Sequence, residues 1–379
     1  MGFLILALMV EMVFFIVLGP LLPHYASELH LGKLGAGVLS ASYSIGCGIA
    51  AVPAGMVAAS IGPRPTAVGG VFLVGLACAG FALGTSIVAL DAARTVQGVG
   101  AAALWAGAIG WLIELGGESR RGRLIGVAFS AAGIGACLGP AVGALATLVG
   151  PRTLFLSLAG LILALGAVGV RLARRHPAQV SPRASLLLRP ALASPDTRRA
   201  LAIVALPSLG FGVAGVLVPL RLDALGASVG AIAAAYIVAS LLESALSPAV
   251  GHWYDKRGGA PVLRATLTAS TACVVFLALG PGKALLLLAL AVTWPVVGSV
   301  WVPALAELSA SVERVGAESG LALGLFNLCW AVSQSVGAVA GAQLARSAEA
   351  VPYLILAALY AIGASAPRVR AVRDRVEVP

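Results

Sequence analysis

The stretch "RTVQGVGAAALWAGAIGWLI", residues 94–113, contains a single charged residue, Arg94, followed by 19 uncharged ones. A helix needs about 20 mostly apolar residues to cross the hydrocarbon core of a bilayer, and this stretch is long enough to do so. A cation at the edge of such a segment is costly to keep in apolar surroundings. The stretch therefore predicts a membrane-spanning helix and raises the question of what Arg94 does.

The whole chain has the composition of an integral membrane protein. Of its 379 residues, 60% are hydrophobic and 11% are charged, whereas about 25% of the residues in a typical soluble domain are charged. The five cysteines lie far apart inside apolar runs, which predicts buried apolar side chains and neither a disulfide framework nor a metal site. Because no soluble fold of this size could bury so much apolar surface, the sequence indicates a multi-pass membrane protein.

Twelve apolar runs are long enough to span the membrane. The chain contains 47 glycines, and small residues let helices approach closely in lipid. The first run lacks a basic segment before it and a small-residue cleavage site after it, so it is expected to be a retained span and not a signal peptide. The expected spans are 3–23, 34–58, 66–86, 91–113, 123–149, 153–171, 200–222, 228–251, 262–280, 284–306, 317–345 and 350–366.

The distribution of Lys and Arg predicts the orientation of these spans. With the N-terminus inside, the inner loops and tail contain 19 of these residues and the outer loops contain five. Because positive charge concentrates in cytoplasmic loops, both termini are expected in the cytoplasm, with the chain in the cell (inner or plasma) membrane. The same placement explains the net charge of +10 without a nucleic-acid partner.

The two halves of the chain repeat one another. Four residues from Pro23 to Pro65 recur 196 positions later, and four from Gly122 to Gly143 recur 198 positions later. The sequence therefore predicts an all-α membrane protein with 12 transmembrane helices in two pseudo-symmetric six-helix bundles, and a site between the bundles that opens alternately to each side. The expected domains are an N-terminal bundle (1–171), a cytoplasmic linker (172–199) with a short interfacial helix at 184–192, a C-terminal bundle (200–367) and a basic cytoplasmic tail (368–379).

The loop "GHWYDKRGGAP", residues 251–261, lies between the eighth and ninth expected spans. Its spacing resembles the Gly-x-x-x-Asp-Arg/Lys-x-Gly loop of the major facilitator superfamily (MFS). Glycine permits a tight turn, and Lys256 or Arg257 could pair with an acid at a span end, such as Glu307. The resemblance implies a gating role for Gly251, Asp255, Lys256, Arg257 and Gly258.

The first-half copy of this loop, residues 55–65, departs from the family pattern. It keeps the glycines but has Ala59 and Ser60 at the Asp and Arg positions. Any charge lock here must therefore use Arg64, with Glu114 as its partner. The expected gating residues of this copy are Gly55, Gly62, Arg64 and Glu114.

Three further stretches resemble the same superfamily. "RTVQGVGAA" resembles its fourth-span motif, and "GIGACLGPAVGA", residues 133–144, resembles the fifth-span motif associated with antiporters. "PLLPHYASEL" after the first span is similar to the 12-span drug/proton antiporter group. In the second half Ala338 stands at the position of Pro140, an asymmetry that also matches antiporters. The residues that carry the fifth-span motif are Gly135, Gly139, Pro140 and Gly143.

Glu11 lies in the middle of the first expected span, Glu243 lies within the eighth, and Arg94 lies in the outer part of the fourth. Such groups are costly, usually face the bundle interior and often mark ion routes. Moving a carboxyl group between water and an apolar pocket changes its affinity for a proton, so Glu11 is the first candidate for a proton carrier and Glu243 the second. For Arg94, the resemblance implies a part in proton coupling. The alternatives are structural acids and an arginine that snorkels to the outer interface, while Asp91 is expected in the outer loop.

Polar and aromatic side chains inside the spans suggest a substrate cavity. Aromatic walls beside a buried acid suit an amphipathic cation. Packing or interface anchoring is the alternative for each tryptophan, and a hydrogen bond between helices is the alternative for each amide. The candidates are Gln97, Trp105, Asn327, Trp330 and Gln334.

These features predict a secondary transporter. The sequence contains no P-loop and no hydrolase or metalloprotease motif, so neither an enzyme nor an ATP-driven pump is expected. The predicted function is proton-coupled efflux of small drug-like or amphipathic compounds by a monomer in the lipid bilayer, with the proton gradient as energy source and without a cofactor or metal. An uptake symporter, a uniporter, or a non-transporting sensor on the same fold remain alternatives.

Overall fold

The computed structural model describes residues 1–117, 121–173, 188–316 and 319–365, without the side chains of 121–122 and 319–320. The described residues form helices and connections, with no strand among them. The expected basic tail (368–379) and half of the expected linker, residues 174–187, lie outside the described residues.

The described residues of the first half form seven helices. They are α1 (Gly2–Ile16), α2 (Leu18–Glu28), α3 (Lys33–Ile61), α4 (Pro63–Leu83), α5 (Ile87–Gly116), α6 (Arg121–Val149) and α7 (Pro151–Ala173).

The second half contains eight helices among its described residues. They are α8 (Leu188–Ala193), α9 (Pro195–Ala224), α10 (Val229–Arg257), α11 (Gly259–Ala278), α12 (Lys283–Gly298), α13 (Trp301–Arg314), α14 (Ser319–Leu344) and α15 (Ala350–Ser365). The short helix α8 lies where the sequence predicts an interfacial helix.

The helices agree with the expected spans, except that two spans are interrupted. Within the described residues, 11 helical segments are long and apolar enough to cross a membrane, and α15 is shorter, with 16 residues. The first span breaks between α1 and α2 at Val17, and the tenth breaks between α12 and α13. Each break is followed by a proline, Pro20 or Pro303, that has no N–H to continue the helical hydrogen bonds. The fold is the all-α membrane architecture that the sequence predicts.

Successive spans run in alternating directions, so their connections lie on two faces. We call the face with the α3–α4 connection the N-terminal face, and the face with the α2–α3 and α14–α15 connections the distal face. At the N-terminal face, Arg64 Nε lies 2.8 Å from Glu114 Oε2 and joins α4 to α5. At the distal face, Lys33 Nζ lies 2.6 Å from Glu349 Oε1 and joins the first half to the second.

Glycines make equivalent contacts in the two halves. Gly139 of α6 lies against Val13 and Ile16 of α1. Gly337 of α14, the repeat of Gly139, lies against Leu209 of α9, and Leu209 stands 196 positions after Val13. The sequence repeat is therefore also a repeat of helix packing.

The two halves touch mainly along α3 with α14 and along α6 with α10. Near the distal face, Gly37 of α3 lies against Ala338 and Ala342 with no room for a side chain. Towards the N-terminal face, α3 is largely exposed, with Met56 62% and Ile61 55% accessible. Helix α3 is therefore covered by the second half near the distal face and uncovered near the N-terminal face.

Candidate functional site

The predicted proton carrier Glu11 lies on α1 in the interior of the first half. It is 1% exposed, and its Oε1 accepts a 2.7 Å hydrogen bond from the hydroxyl of Tyr43 on α3. Its Oε2 has no hydrogen-bond partner among the described residues, and Trp105 is a further neighbour of the carboxyl group. The adjoining small cavity is otherwise apolar, lined by Ala7, Val10, Val71, Val74, Leu104, Ile162 and Leu165.

Arg94 lies beside this acid and is held by the backbone of α1. Its Nη1 donates hydrogen bonds to the carbonyl of Phe14 at 3.2 Å and to Gln97 Oε1 at 2.7 Å. Its Nη2 donates to the carbonyl of Phe15 at 3.4 Å. With only 2% of its surface exposed, Arg94 does not snorkel to an interface. It binds carbonyls of the last turn before the break between α1 and α2, which the guanidinium group can satisfy with several donors at once.

The glycines of the Arg94 motif bring α5 close to its neighbours. Gly98 lies directly against the backbone of α3 at Gly46, and Gly100 lies against α4 at Gly70. A side chain at any of these four positions would overlap the facing helix. The small residues therefore fix α5 against α3 and α4, and with it the position of Arg94.

Aromatic rings from both halves meet at this site. Phe15 stacks on Tyr43, with ring centroids 4.3 Å apart. Trp330 of α14 lies edge-on to Phe15 at 6.0 Å and to Tyr43 at 6.4 Å. Trp105, whose ring lies 5.3 Å from that of Phe129, covers the acid from α5. Two of the predicted cavity residues, Trp105 and Trp330, thus belong to the surroundings of the predicted proton carrier.

The other predicted cavity residues have different positions. Gln97 is fully buried, and its oxygen is engaged by Arg94. On α14, Asn327 is exposed and Gln334 is partly buried. The structure therefore brings Gln97 into the cluster around the acid and leaves Asn327 accessible.

The second predicted acid, Glu243, lies at a different place. It is on α10, and its carboxylate rests against Gly298 at the end of α12, next to the break before α13. The neighbouring Ser244 approaches Cys137 of α6 in the other half. Glu243 is therefore placed where α10 meets both the interrupted tenth span and the first half.

The predicted gating loops contain glycines in a conformation that other residues rarely adopt. Gly62 has a φ of 98° and Gly258 a φ of 77°, and both lie at tight connections between helices. Arg64 and Glu114 form an ion pair whose side chains are 9% and 14% exposed. The Arg64 guanidinium also lies 5.7 Å from the ring centroid of Trp111. Arg64 and Glu114 thus meet although the usual acid and base of this loop are absent.

In the second-half loop, the expected ion pair is not formed. Glu307 accepts a 3.2 Å hydrogen bond from the hydroxyl of Tyr254, whereas Lys256 and Arg257 are exposed. Helix α10 continues to Arg257, so Tyr254 faces α13 and the two basic residues, together with Asp255, point elsewhere. The expectation that Lys256 or Arg257 pairs with Glu307 is wrong.

Asp91 lies on a helix and not in a loop. Helix α5 begins at Ile87, and the side chain of Ser86 caps it by accepting a 3.3 Å hydrogen bond from the N–H of Ala89. Asp91 therefore belongs to the second turn, where its Oδ1 accepts a 3.1 Å hydrogen bond from Ser42 of α3. The expectation of a loop position is wrong because the helix begins at Ile87, four residues before the expected span.

Comparison with known families decides the identity of this fold. A family model described as Major Facilitator Superfamily matches residues 4–338. The chain belongs to the major facilitator superfamily. Membership supports a membrane transporter.

Individual relatives of this MFS chain are distant. The MFS-type transporter ppzB of Metarhizium rileyi (strain RCEF 4871) is 33% identical over 92 residues, which cover 24% of this chain and 19% of that protein. Two solved structures of a POT family transporter, one in complex with a thioalcohol conjugated peptide and one with 5-aminolevulinic acid, align with a TM-score of 0.71. Each alignment covers 96% of this chain and 94% of the other at 14% identity, which shows a shared fold.

Sequence reasoning missed two residues of the MFS site, Tyr43 and Phe15. Tyr43 lies in the middle of the second expected span, within "ASYSIGCG" at 41–48. A buried tyrosine hydroxyl usually finds a hydrogen-bond partner, so a tyrosine at this depth was a signal that some polar group faces it. Phe15 gives no such signal, because an aromatic residue in a span is most often ordinary packing.

Proposed function

We propose that this MFS transporter is a proton-coupled antiporter that exports small amphipathic compounds across the cell membrane. The observation that carries the proposal is the environment of Glu11. One carboxyl oxygen is bonded to Tyr43, and the other has no hydrogen-bond partner among the described residues. The free oxygen offers a place for a proton, and a charged carboxylate without a partner in apolar surroundings is unfavourable.

Arg94 supports this proposal as a fixed counter-charge. It is close enough for electrostatic interaction with Glu11 and is anchored by backbone carbonyls. When the carboxyl group releases its proton, the guanidinium group keeps the new negative charge from being isolated. In this role Arg94 makes deprotonation of Glu11 possible, and Glu11 is the group that carries the proton.

The aromatic side chains support amphipathic compounds, cations among them, as the exported compound class. Trp105 lies beside the acid, and Trp330 lies against Tyr43, which is hydrogen-bonded to the acid. Such rings attract cations and cover apolar surfaces. Since Glu11 can be occupied by a proton or face a bound cation, the two cargoes would exclude one another. Mutual exclusion is the thermodynamic basis of exchange.

The proposed direction is export from the cytoplasm, with both termini on the cytoplasmic side. In that orientation the N-terminal face is cytoplasmic, and the exposed part of α3 near Met56 and Ile61 lies at the side from which the compound enters. The excess of Lys and Arg in the loops of the N-terminal face supports this orientation.

The decisive experiment uses the purified full chain in liposomes with a trapped pH dye and an imposed proton gradient. Tetraphenylphosphonium (a lipophilic cation), chloramphenicol (a neutral antibiotic) and glucose are added in turn, and the Glu11→Gln protein serves as the control. If the protein is an antiporter, addition of one compound class drives protons across the membrane in the direction opposite to the compound. We expect the lipophilic cation to be that class. Protons that move together with the compound, or compound flux without protons, would replace the proposal with symport or uniport.

A further inference from the structure

Tyr43 touches both the acid and the second half of the molecule. It is 3% exposed, and its hydroxyl donates the 2.7 Å hydrogen bond to Glu11. Its ring stacks on Phe15 and meets the edge of Trp330. Trp330 belongs to α14, so one rigid side chain connects the carboxyl group of the first half to a ring of the second.

The surroundings of Tyr43 hold its ring from several sides. The guanidinium carbon of Arg94 lies 5.2 Å from the ring centroid. The ring also belongs to a small buried cluster with Cys47, Ala101 and Ala331. Ala331 is again a residue of α14, so the part of α14 that contains Trp330 forms one wall of the Tyr43 site.

The internal repeat shows that this arrangement belongs to one half only. At the offset of 196, Glu11 corresponds to Pro207 and Tyr43 to Ala239. At the offset of 198, Trp330 corresponds to Ala132. The second half therefore supplies an aromatic contact to an acid–tyrosine pair that exists only in the first half.

We propose that Tyr43 is the positioning residue that links the hydrogen bonding of Glu11 to the contact between the two halves. The inference rests on the proposed function. A phenol ring and its hydroxyl move as one body, so withdrawal of α14, with Trp330 and Ala331, opens one side of the ring and lets the hydroxyl move away from Glu11. Return of Trp330 restores the ring and the hydrogen bond. Whether Glu11 accepts the hydrogen bond from Tyr43 thus depends on the relative position of α3 and α14.

The first test is Tyr43→Phe, which keeps the ring and removes the hydroxyl. Proton release per transported compound falls about tenfold or more, the factor expected when a hydrogen bond to a charged group is lost, and the pH profile of transport shifts. Exchange of labelled for unlabelled compound continues, because the ring contacts remain. Tyr360→Phe is the matched control, since it removes another fully buried tyrosine hydroxyl, on α15, that has no partner among the described residues.

The second test separates positioning from general destabilisation. In a Glu11→Gln background, Tyr43→Phe causes no further loss of coupling, because both changes act on the same proton site. Trp330→Leu in the otherwise natural chain reproduces the loss of coupling, because it removes the ring that holds Tyr43. Infrared difference spectra of a pH jump, recorded without any compound, show the carboxyl band that Glu11→Gln removes, and Tyr43→Phe shifts this band.

The outcomes distinguish the inference from the function on which it rests. A natural protein that moves compound without protons overturns antiport and the positioning role together. A natural protein that antiports, with Tyr43→Phe keeping its proton-to-compound ratio, pH profile and carboxyl band, overturns the positioning role alone. Additive loss in the Glu11→Gln background also overturns it, because the hydroxyl would then act elsewhere.

Discussion

Arg94 shows how a single charged residue is accommodated inside a membrane protein. Its hydrogen bonds go to two carbonyls of α1 and to Gln97, and its Nε has no partner among the described residues. Backbone carbonyls next to a helix break are good acceptors, so the guanidinium group replaces part of the hydration that it loses. The residue therefore has a structural task at the break and an electrostatic task beside the acid.

Substitution of Arg94 separates these two tasks. Arg94→Lys keeps the charge but cannot reach both carbonyls and Gln97 at once, so proton coupling is expected to fall roughly 10-fold, about 1.4 kcal/mol. Arg94→Ala removes the charge as well and is expected to abolish coupling. Transport assays in dye-loaded liposomes measure the proton coupling of both variants. Full coupled transport by both variants would exclude Arg94 from the mechanism.

Glu11→Gln tests the carrier itself. The amide has nearly the same shape and can still interact with Tyr43, but it cannot take up a proton, so a proton gradient no longer drives transport. Exchange of labelled for unlabelled compound is expected to continue at higher compound concentrations, because the amide no longer presents a negative charge to a bound cation. Glu28→Gln is the control, because the Glu28 side chain is 60% exposed at the end of α2. Full gradient-driven transport by Glu11→Gln would remove Glu11 from the mechanism.

At the scale of the helices, apolar length was enough to predict most of the fold, and local chemistry explains the exceptions. Each span reads as a continuous apolar run, so the interruption at Val17 is invisible to hydropathy. The contact partners of Gly98 and Gly139 are also not encoded locally, because a glycine reports close approach but not which helix approaches. For the site, Glu11 and Arg94 were predicted from the cost of charged groups in lipid, and Gln97 from its place one turn after Arg94. Phe15 has no such signal and could not be found.

The close contact of α5 with α3 makes a prediction at this scale. Gly98→Ala places a methyl group against the carbonyl of Tyr43 and the backbone of Gly46, so the helices must separate. We expect destabilisation of about 1–3 kcal/mol, measured by thermal unfolding in detergent, together with weaker proton coupling because Arg94 moves with α5. Gly69→Ala on α4 is the control, since nothing lies within 4 Å of the added atom. Equal unfolding temperatures for the two variants would contradict the close packing.

At the scale of the whole molecule, the distal face contains a polar contact between the halves. Lys33 Nζ donates to Glu349 Oε1 at 2.6 Å and to the carbonyl of Ala345 at 3.2 Å. Arg221 Nε lies 3.8 Å from Glu349 Oε2. Ala345 directly follows α14, so Lys33 both pairs with an acid and caps the end of a helix of the other half. These contacts favour the state in which the distal ends of α3 and α14 are together.

Reversal of the charge at Lys33 should shift the balance between states. An exposed ion pair contributes roughly 0.2–1 kcal/mol. Lys33→Glu is therefore expected to change the ratio of the state closed at the distal face to the state closed at the N-terminal face by up to about fivefold, and less at high salt. Spin labels at Ser60 and His252, one in each half at the N-terminal face, measure this ratio by their distance distribution after the native cysteines are replaced by alanine. The shorter distance gains population in Lys33→Glu, because the N-terminal face closes when the distal face opens.

Arg314→Glu, which breaks a 2.6 Å pair with Asp196 inside the second half, leaves the distribution unchanged. If the double variant Lys33→Glu, Glu349→Lys restores the natural distribution, the ion pair itself sets the balance. If Lys33→Glu leaves the distribution unchanged, apolar packing of α3 on α14 alone holds the distal face closed.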